Sequence, residues 1–127
     1  MSERVLPKGL AAPAGPWSPA VKAGNTLFIA GCISVDENNQ VVGPGDIVAQ
    51  THQVMRNFQA VVEGAGMRMS DVVKITNYMT DPRLYAEMAK VRAEYLPQPF
   101  PASTMVQVSG LLYPGLLVEI EGIAVAE

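Results

Sequence analysis

The sequence has one cysteine and one histidine in 127 residues. A single thiol excludes an internal disulfide and fits a cytoplasmic setting. The lone His52 among scattered acids offers no metal-ligand spacing. Basic clusters are lacking and the net charge is −3, so nucleic acid is not an expected partner. The longest apolar runs fall far short of a membrane span, and the N-terminus lacks the charged start and apolar block of a signal peptide. A membrane is not an expected partner either. Phe and Trp are scarce, three and one against seven Met, which points to a soft, gap-filling interior.

What is present suits one domain, residues 1–127, large enough to bury a core without staples. The opening "LPKGLAAPAGPWSPA" is too rich in Pro and Gly for a helix and reads as a loop or irregular strand. "NTLFIAGCIS" (25–34) reads as a mostly buried strand, and "DENNQ" (36–40) as a turn into a short "VV" strand. Asp46 is placed to cap a helix whose apolar stripe runs through Ile47, Val54, Met55, Phe58, Val61 and Val62 and ends at Gly64 and Gly66. In "DVVKITNYMT" (71–80) Val72, Lys74 and Thr76 alternate with Val73, Ile75 and Asn77. "DPRLYAEMAKVRAEYL" (81–96) reads as a second helix opened near Pro82 and stopped by Pro97 and Pro99. The last 28 residues, "FPASTMVQVSGLLYPGLLVEIEGIAVAE", read as two strands joined by a turn.

The resulting order, ββ-α-β-α-ββ, predicts an α+β fold with two helices covering one face of a mixed sheet. The other face keeps Val73, Ile75, Val106, Val108 and Leu117, too much apolar surface for a small monomer, so self-association is expected. Glu119 and Glu121 alternate with Val118, Ile120 and Gly122 and share one strand face. Two neighbouring carboxylates either form an acid/base pair, one raising the pKa of the other, or fix assembly through a cation across a subunit boundary. Glu119 is expected in a cleft and Glu121 in a structural role. Cys32 would need a base beside it to act as a nucleophile; with His52 expected to face solvent, a small buried thiol is the simpler reading. Nothing around Lys74 suggests the desolvation a Schiff-base lysine needs.

Several segments in order and spacing, "GPWSPAV", "LFIAGCI", "DIVAQTHQVMRNFQAVVEGAG", "DVVKITNYMTD", "PAST" and "LVEIEGIAVA", together resemble the Rid family (YjgF/YER057c/UK114) over nearly the whole chain. The resemblance implies a chorismate-mutase-like α+β fold and a homotrimer with ligand sites in the clefts between subunits. It also implies hydrolysis of reactive enamines or imines to keto acids and ammonia, with no cofactor. By the same resemblance Glu119 falls on the acid that orients the water, and Gly31 on the pocket glycine. Trp17 stands where Tyr is usual, either as a pocket lid or as a plug at a subunit joint. Ala30 and Cys32 replace the usual Ser and Gln, Ala89 stands for a common Asn, and Met105 for Cys or Thr.

The largest departure is Ser103, which occupies the place of the family's carboxylate-clamping Arg. A hydroxyl cannot supply a planar, permanently charged fork, and losing such a contact costs about 2–5 kcal/mol when its partner stays buried. Ser103 and Thr104 could instead donate hydrogen bonds to a neutral or weakly polar ligand. Arg92, three residues after Ala89, is either a replacement cation or a solvated helix arginine pairing near Glu87 or Glu94. Together these substitutions point to an enamine or imine hydrolase for something other than simple 2-imino acids. The alternative is a non-catalytic small-molecule-binding or regulatory trimer, and a third reading is a protein-interaction or chaperone-like member.

Overall fold

The computed structural model describes residues 2–127. Its sheet has six strands: β1 (Ser2–Val5), β2 (Ala20–Ala23), β3 (Thr26–Cys32), β4 (Val72–Met79), β5 (Ala102–Gln107) and β6 (Val118–Val125). Helix α1 spans Ile47–Gly64 and α2 spans Tyr85–Arg92. The spatial order is β1-β2-β3-β6-β4-β5. All pairings are antiparallel except β4 with β5, which is parallel. The expected mixed sheet with two helices on one face is therefore the architecture found. No helix among the described residues is long and apolar enough to cross a membrane.

Helix α1 starts where the sequence says it should. Asp46 is in extended conformation and accepts from the Ala49 N–H, satisfying one of the orphan donors of the first turn. Its stripe of Val54, Met55, Phe58, Val61 and Val62 is fully or almost fully buried against Leu27, Ile75, Val118, Ile120 and Ala124 of the sheet. Phe58 lies directly on Gly122, where an added Cβ would come within 2.8 Å of the ring and of the Lys74 carbonyl oxygen.

The Pro/Gly-rich stretch is irregular up to Ala20, as expected, and lies between two strands at the sheet edge, Ser2–Val5 and Ala20–Ala23, that pair antiparallel. Three expectations need correction. The "VV" strand reduces to a single bridge, Val35 with Val41. The second helix is shorter than its periodicity suggested: Pro82–Leu84 form a 3-10 turn and the α-helix ends at Arg92. The last two strands are not neighbours, since β4 lies between β5 and β6.

The strand faces also shift. A bulge between Val72 and Lys74 puts Val72 on the buried side with Ile75 and exposes Val73. Ile75 belongs to the helix-covered core, and Leu117 packs against that core. The open face still shows large apolar groups, with Phe28 50%, Val73 48% and Val106 39% exposed.

Polar residues inside the fold are matched to specific partners. Buried Gln50 donates to the carbonyls of Gly43 and Gly115 and accepts from the Leu117 N–H, tying α1 to the loop that leads into β6. Replacing it by Leu leaves those backbone groups unmatched. Gln50→Leu should therefore destabilise the protein by about 2–4 kcal/mol, read as a lower urea midpoint with unchanged slope.

Candidate functional site

The sequence-predicted site residues fall into two groups on one chain. In a ladder, directly paired residues share a face. Ser103 pairs with Ile75 and Met105 with Asn77, whereas Glu119 pairs with Tyr78. Ser103 and Met105 therefore project to the helix-covered side, and Glu119 projects to the open side. Thr104, paired with Thr76, joins the open side, where its hydroxyl accepts from Lys74 Nζ at 2.6 Å. Within a single chain Glu119 and Ser103 cannot face a common ligand.

The first group gathers around a cavity of about 330 Å3. The early Pro/Gly loop supplies Leu10, Gly15 and Trp17, β3 and its exit supply Gly31 and Cys32, and the loop before β6 supplies Leu112 and Tyr113. Trp17 is half exposed and forms part of this wall; Met105 lies elsewhere in the chain, partly buried against the core. Gly31 borders both the cavity and Glu119. A Cβ at Gly31 would sit 1.9 Å from Glu119 Oε2, so the carboxylate fills the space a side chain would take.

Glu119 is a half-buried acid with no cation against it; the one ion pair among the described residues is Arg83 with Asp81. Desolvation, and then the charge of Glu121, push its carboxyl above the usual carboxylate range. Glu121 accepts a hydrogen bond from the Tyr78 hydroxyl, which raises the Tyr78 pKa together with burial and the two acids. Within the chain the group that meets Glu121 is thus a phenol. Because the folded-state pKa of Glu119 is raised, its contribution to stability is present at low pH and lost as pH rises through its titration. Glu119→Gln should consequently melt higher than wild type near neutral pH, with the gap closing below the ordinary carboxylate range.

Cys32 has an enclosed thiol, pushed up to about 12 by burial and then by the Glu119 charge; its Sγ donates only to the Ala30 carbonyl. A thiol held in that form is a poor nucleophile. His52, expected in solvent, instead meets the Tyr95 hydroxyl through Nδ1 at 2.7 Å. Lys74 contacts Thr104 rather than any apolar pocket. Among the described residues no three of His, Cys, Asp and Glu come together to hold a metal ion.

The second group centres on Arg92. Its guanidinium NH1 donates to Asn77 Oδ1 at 2.8 Å and reaches Met88 Sδ at 3.7 Å, while NH2 lies 3.5 Å from the Tyr85 hydroxyl. The guanidinium carbon stands 5.7 Å from the Tyr85 ring centroid. The pairing with Glu87 or Glu94 does not form; those acids line a groove with His52 and Lys90 on another side of α2. Asn77 also donates from Nδ2 to Ser103 Oγ and to the Thr104 carbonyl, both at 2.9 Å. Sequence reading missed Asn77 as a site residue. Its signal was an amide on the buried side of an otherwise apolar strand face, between Ile75 and Met79.

Residues 9–126 match the profile of a family described as endoribonuclease L-PSP. The chain is 43% identical over 127 residues to a RutC family protein of Pyrococcus horikoshii, covering all of both chains. It is 38% identical over 122 residues to the 3-aminoacrylate deaminase RutC of Acinetobacter baylyi, covering 96% of each. The crystal structure of RidA from an Antarctic Psychrobacter is similar throughout, with a TM-score of 0.91, 35% identity, and coverage of 98% of this chain and 99% of that one.

Proposed function

Because the chain belongs to the endoribonuclease L-PSP family, the YjgF/Rid/RutC group, we propose that it is a deaminase that hydrolyses a small enamine or imine without a cofactor. The observation that carries this reading is Glu119, a carboxyl with raised pKa pressed against Gly31, which itself borders an aromatic-walled cavity. In its protonated form it can deliver a proton to an enamine carbon, converting it to an iminium. As a carboxylate it can then take a proton from water as the oxygen adds to the neighbouring carbon, the one that bears the nitrogen. The carbinolamine collapses to a carbonyl, and nitrogen leaves as ammonia. One water is consumed per ammonia released, and no redox partner is needed.

The site is completed between subunits. The face carrying Glu119, with exposed Phe28, Val73 and Val106 nearby, meets the β5 edge of a neighbouring copy in a cytoplasmic homotrimer. Trp17, Gly31 and Cys32 of one subunit then oppose Arg92, Ser103, Thr104 and Met105 of the next. The similarity to a protein named 3-aminoacrylate deaminase and the serine at position 103 both favour a substrate other than the simple 2-imino acids.

The test is ammonia release above the uncatalysed rate from freshly generated 3-aminoacrylate and 2-iminobutyrate, with the assembly sized by analytical ultracentrifugation. Faster turnover of 3-aminoacrylate by a trimer is the expected result. Silence toward both substrates overturns the deaminase reading in favour of a non-catalytic ligand-binding trimer, which the loss of a charged fork at Ser103 would suit.

A further inference from the structure

The charge balance around Arg92 is unusual. A half-buried guanidinium is normally paired with an acid, because neutral dipoles compensate only part of its lost hydration. Here every group in contact with it is neutral: an amide oxygen, a phenol and a thioether. The acids nearest to it along the chain, Glu87 of α2 and Glu94 just beyond it, face the groove beside His52 instead. Asn77, which holds the guanidinium, is 0% exposed and has both ends of its amide engaged. Its orientation follows from chemistry, since Oδ1 must meet the donor-only Arg and Nδ2 the Ser103 and Thr104 oxygens.

Two donors are left over. Ser103 Oγ accepts from Asn77, so its own O–H is available to donate outward from an exposed position on the edge strand β5. Arg92 has five N–H groups, and its contacts leave a guanidinium edge uncommitted. A cation and a hydroxyl held by the same buried amide are complementary to a planar monoanion with two acceptor oxygens.

We propose that Arg92, positioned by Asn77 and assisted by the Ser103 hydroxyl, is the anchor for a ligand carboxylate, so that the charge absent at position 103 is supplied from α2. The inference rests on the deaminase reading for the nature of the ligand, but not for the existence of the anion site. An anchor on the helix rather than on the strand meets the carboxylate from a different direction, which accords with an acid whose charge is placed differently from that of a 2-imino acid.

Acetoacetate, a stable 3-oxo acid, is the probe, and its uncharged methyl ester is the control. Calorimetric titration of the intact protein should show acetoacetate binding that weakens as salt is added, with the ester at least about tenfold weaker. Arg92→Met should lose about tenfold or more in affinity for acetoacetate and nothing for the ester; Arg92→Lys should recover only part, because an ammonium cannot form the fork. Ser103→Ala should cost a few-fold. Equal binding of acid and ester by wild type, no binding of the acid, or unchanged affinity in Arg92→Met overturns the proposal. Should Arg92→Met melt abnormally, the comparison of Arg92→Lys with wild type decides it. If ammonia release is absent yet the acid binds in an Arg92-dependent way, the deaminase reading fails and the anion site stands.

Discussion

Glu119→Gln is expected to lower the rate of ammonia release by about 10²–10⁴-fold, the range for losing a positioned acid/base group. The change is nearly isosteric, so Gly31 still accommodates the side chain, which fills the space a Cβ would otherwise take. Loss should therefore appear in kcat with little change in acetoacetate binding, because the proposed anchor is Arg92 on the other side of the sheet. The pH profile separates a chemical role from a structural one. In wild type the acid limb should lie above the ordinary carboxylate range, following the raised Glu119 pKa. Glu121→Gln removes the neighbouring charge that contributes to that rise and should move the limb toward lower pH while leaving most of the activity. A Glu119→Gln protein with wild-type kcat would remove Glu119 from the chemistry altogether.

Phe58→Ala should have the largest effect on stability, about 3–5 kcal/mol, seen as a drop in melting temperature of about 10 °C or more. Phe58 is fully buried, and its ring covers Gly122 at the centre of β6. The rigid sheet cannot collapse into the vacated volume, so most of the cavity would persist. Gly122→Ala approaches the same contact from the other side, since its new Cβ would clash with the ring and with the Lys74 carbonyl. Combined, the two substitutions should cost less than the sum of the singles, because the methyl enters part of the space left by the ring. Strict additivity would mean that the Lys74 backbone contact, rather than the aromatic ring, limits position 122.

Much of the fold was legible because its signals are local. Asp46 and the stripe from Ile47 to Val62 specify α1 through hydrogen bonding within one turn and burial at a 3.6-residue period. The motif series from "GPWSPAV" to "LVEIEGIAVA" identified the family. Features that depend on pairing across long sequence separations were not legible. The bulge at Val72 and Lys74 reverses two side chains that strict alternation would assign otherwise. The parallel placement of β5 beside β4 decides that Ser103 turns away from Glu119, and no spacing within 100–127 encodes that choice. Asn77 was passed over because an amide on an apolar strand reads as a tolerated polar residue until its partners are known. Arg92 stood between two readings in the sequence, and its contacts fall on Asn77, Met88 and Tyr85 rather than on Glu87 or Glu94.

The bracket formed by buried Asn77 also bears on entropy. A free arginine side chain carries about 2 kcal/mol of rotamer entropy, and a surface arginine surrenders part of it each time a ligand arrives. Asn77 lies on the core face of β4 between Ile75 and Met79, so the guanidinium it holds is immobilised when the chain folds. An incoming carboxylate meets a group that has already lost that freedom.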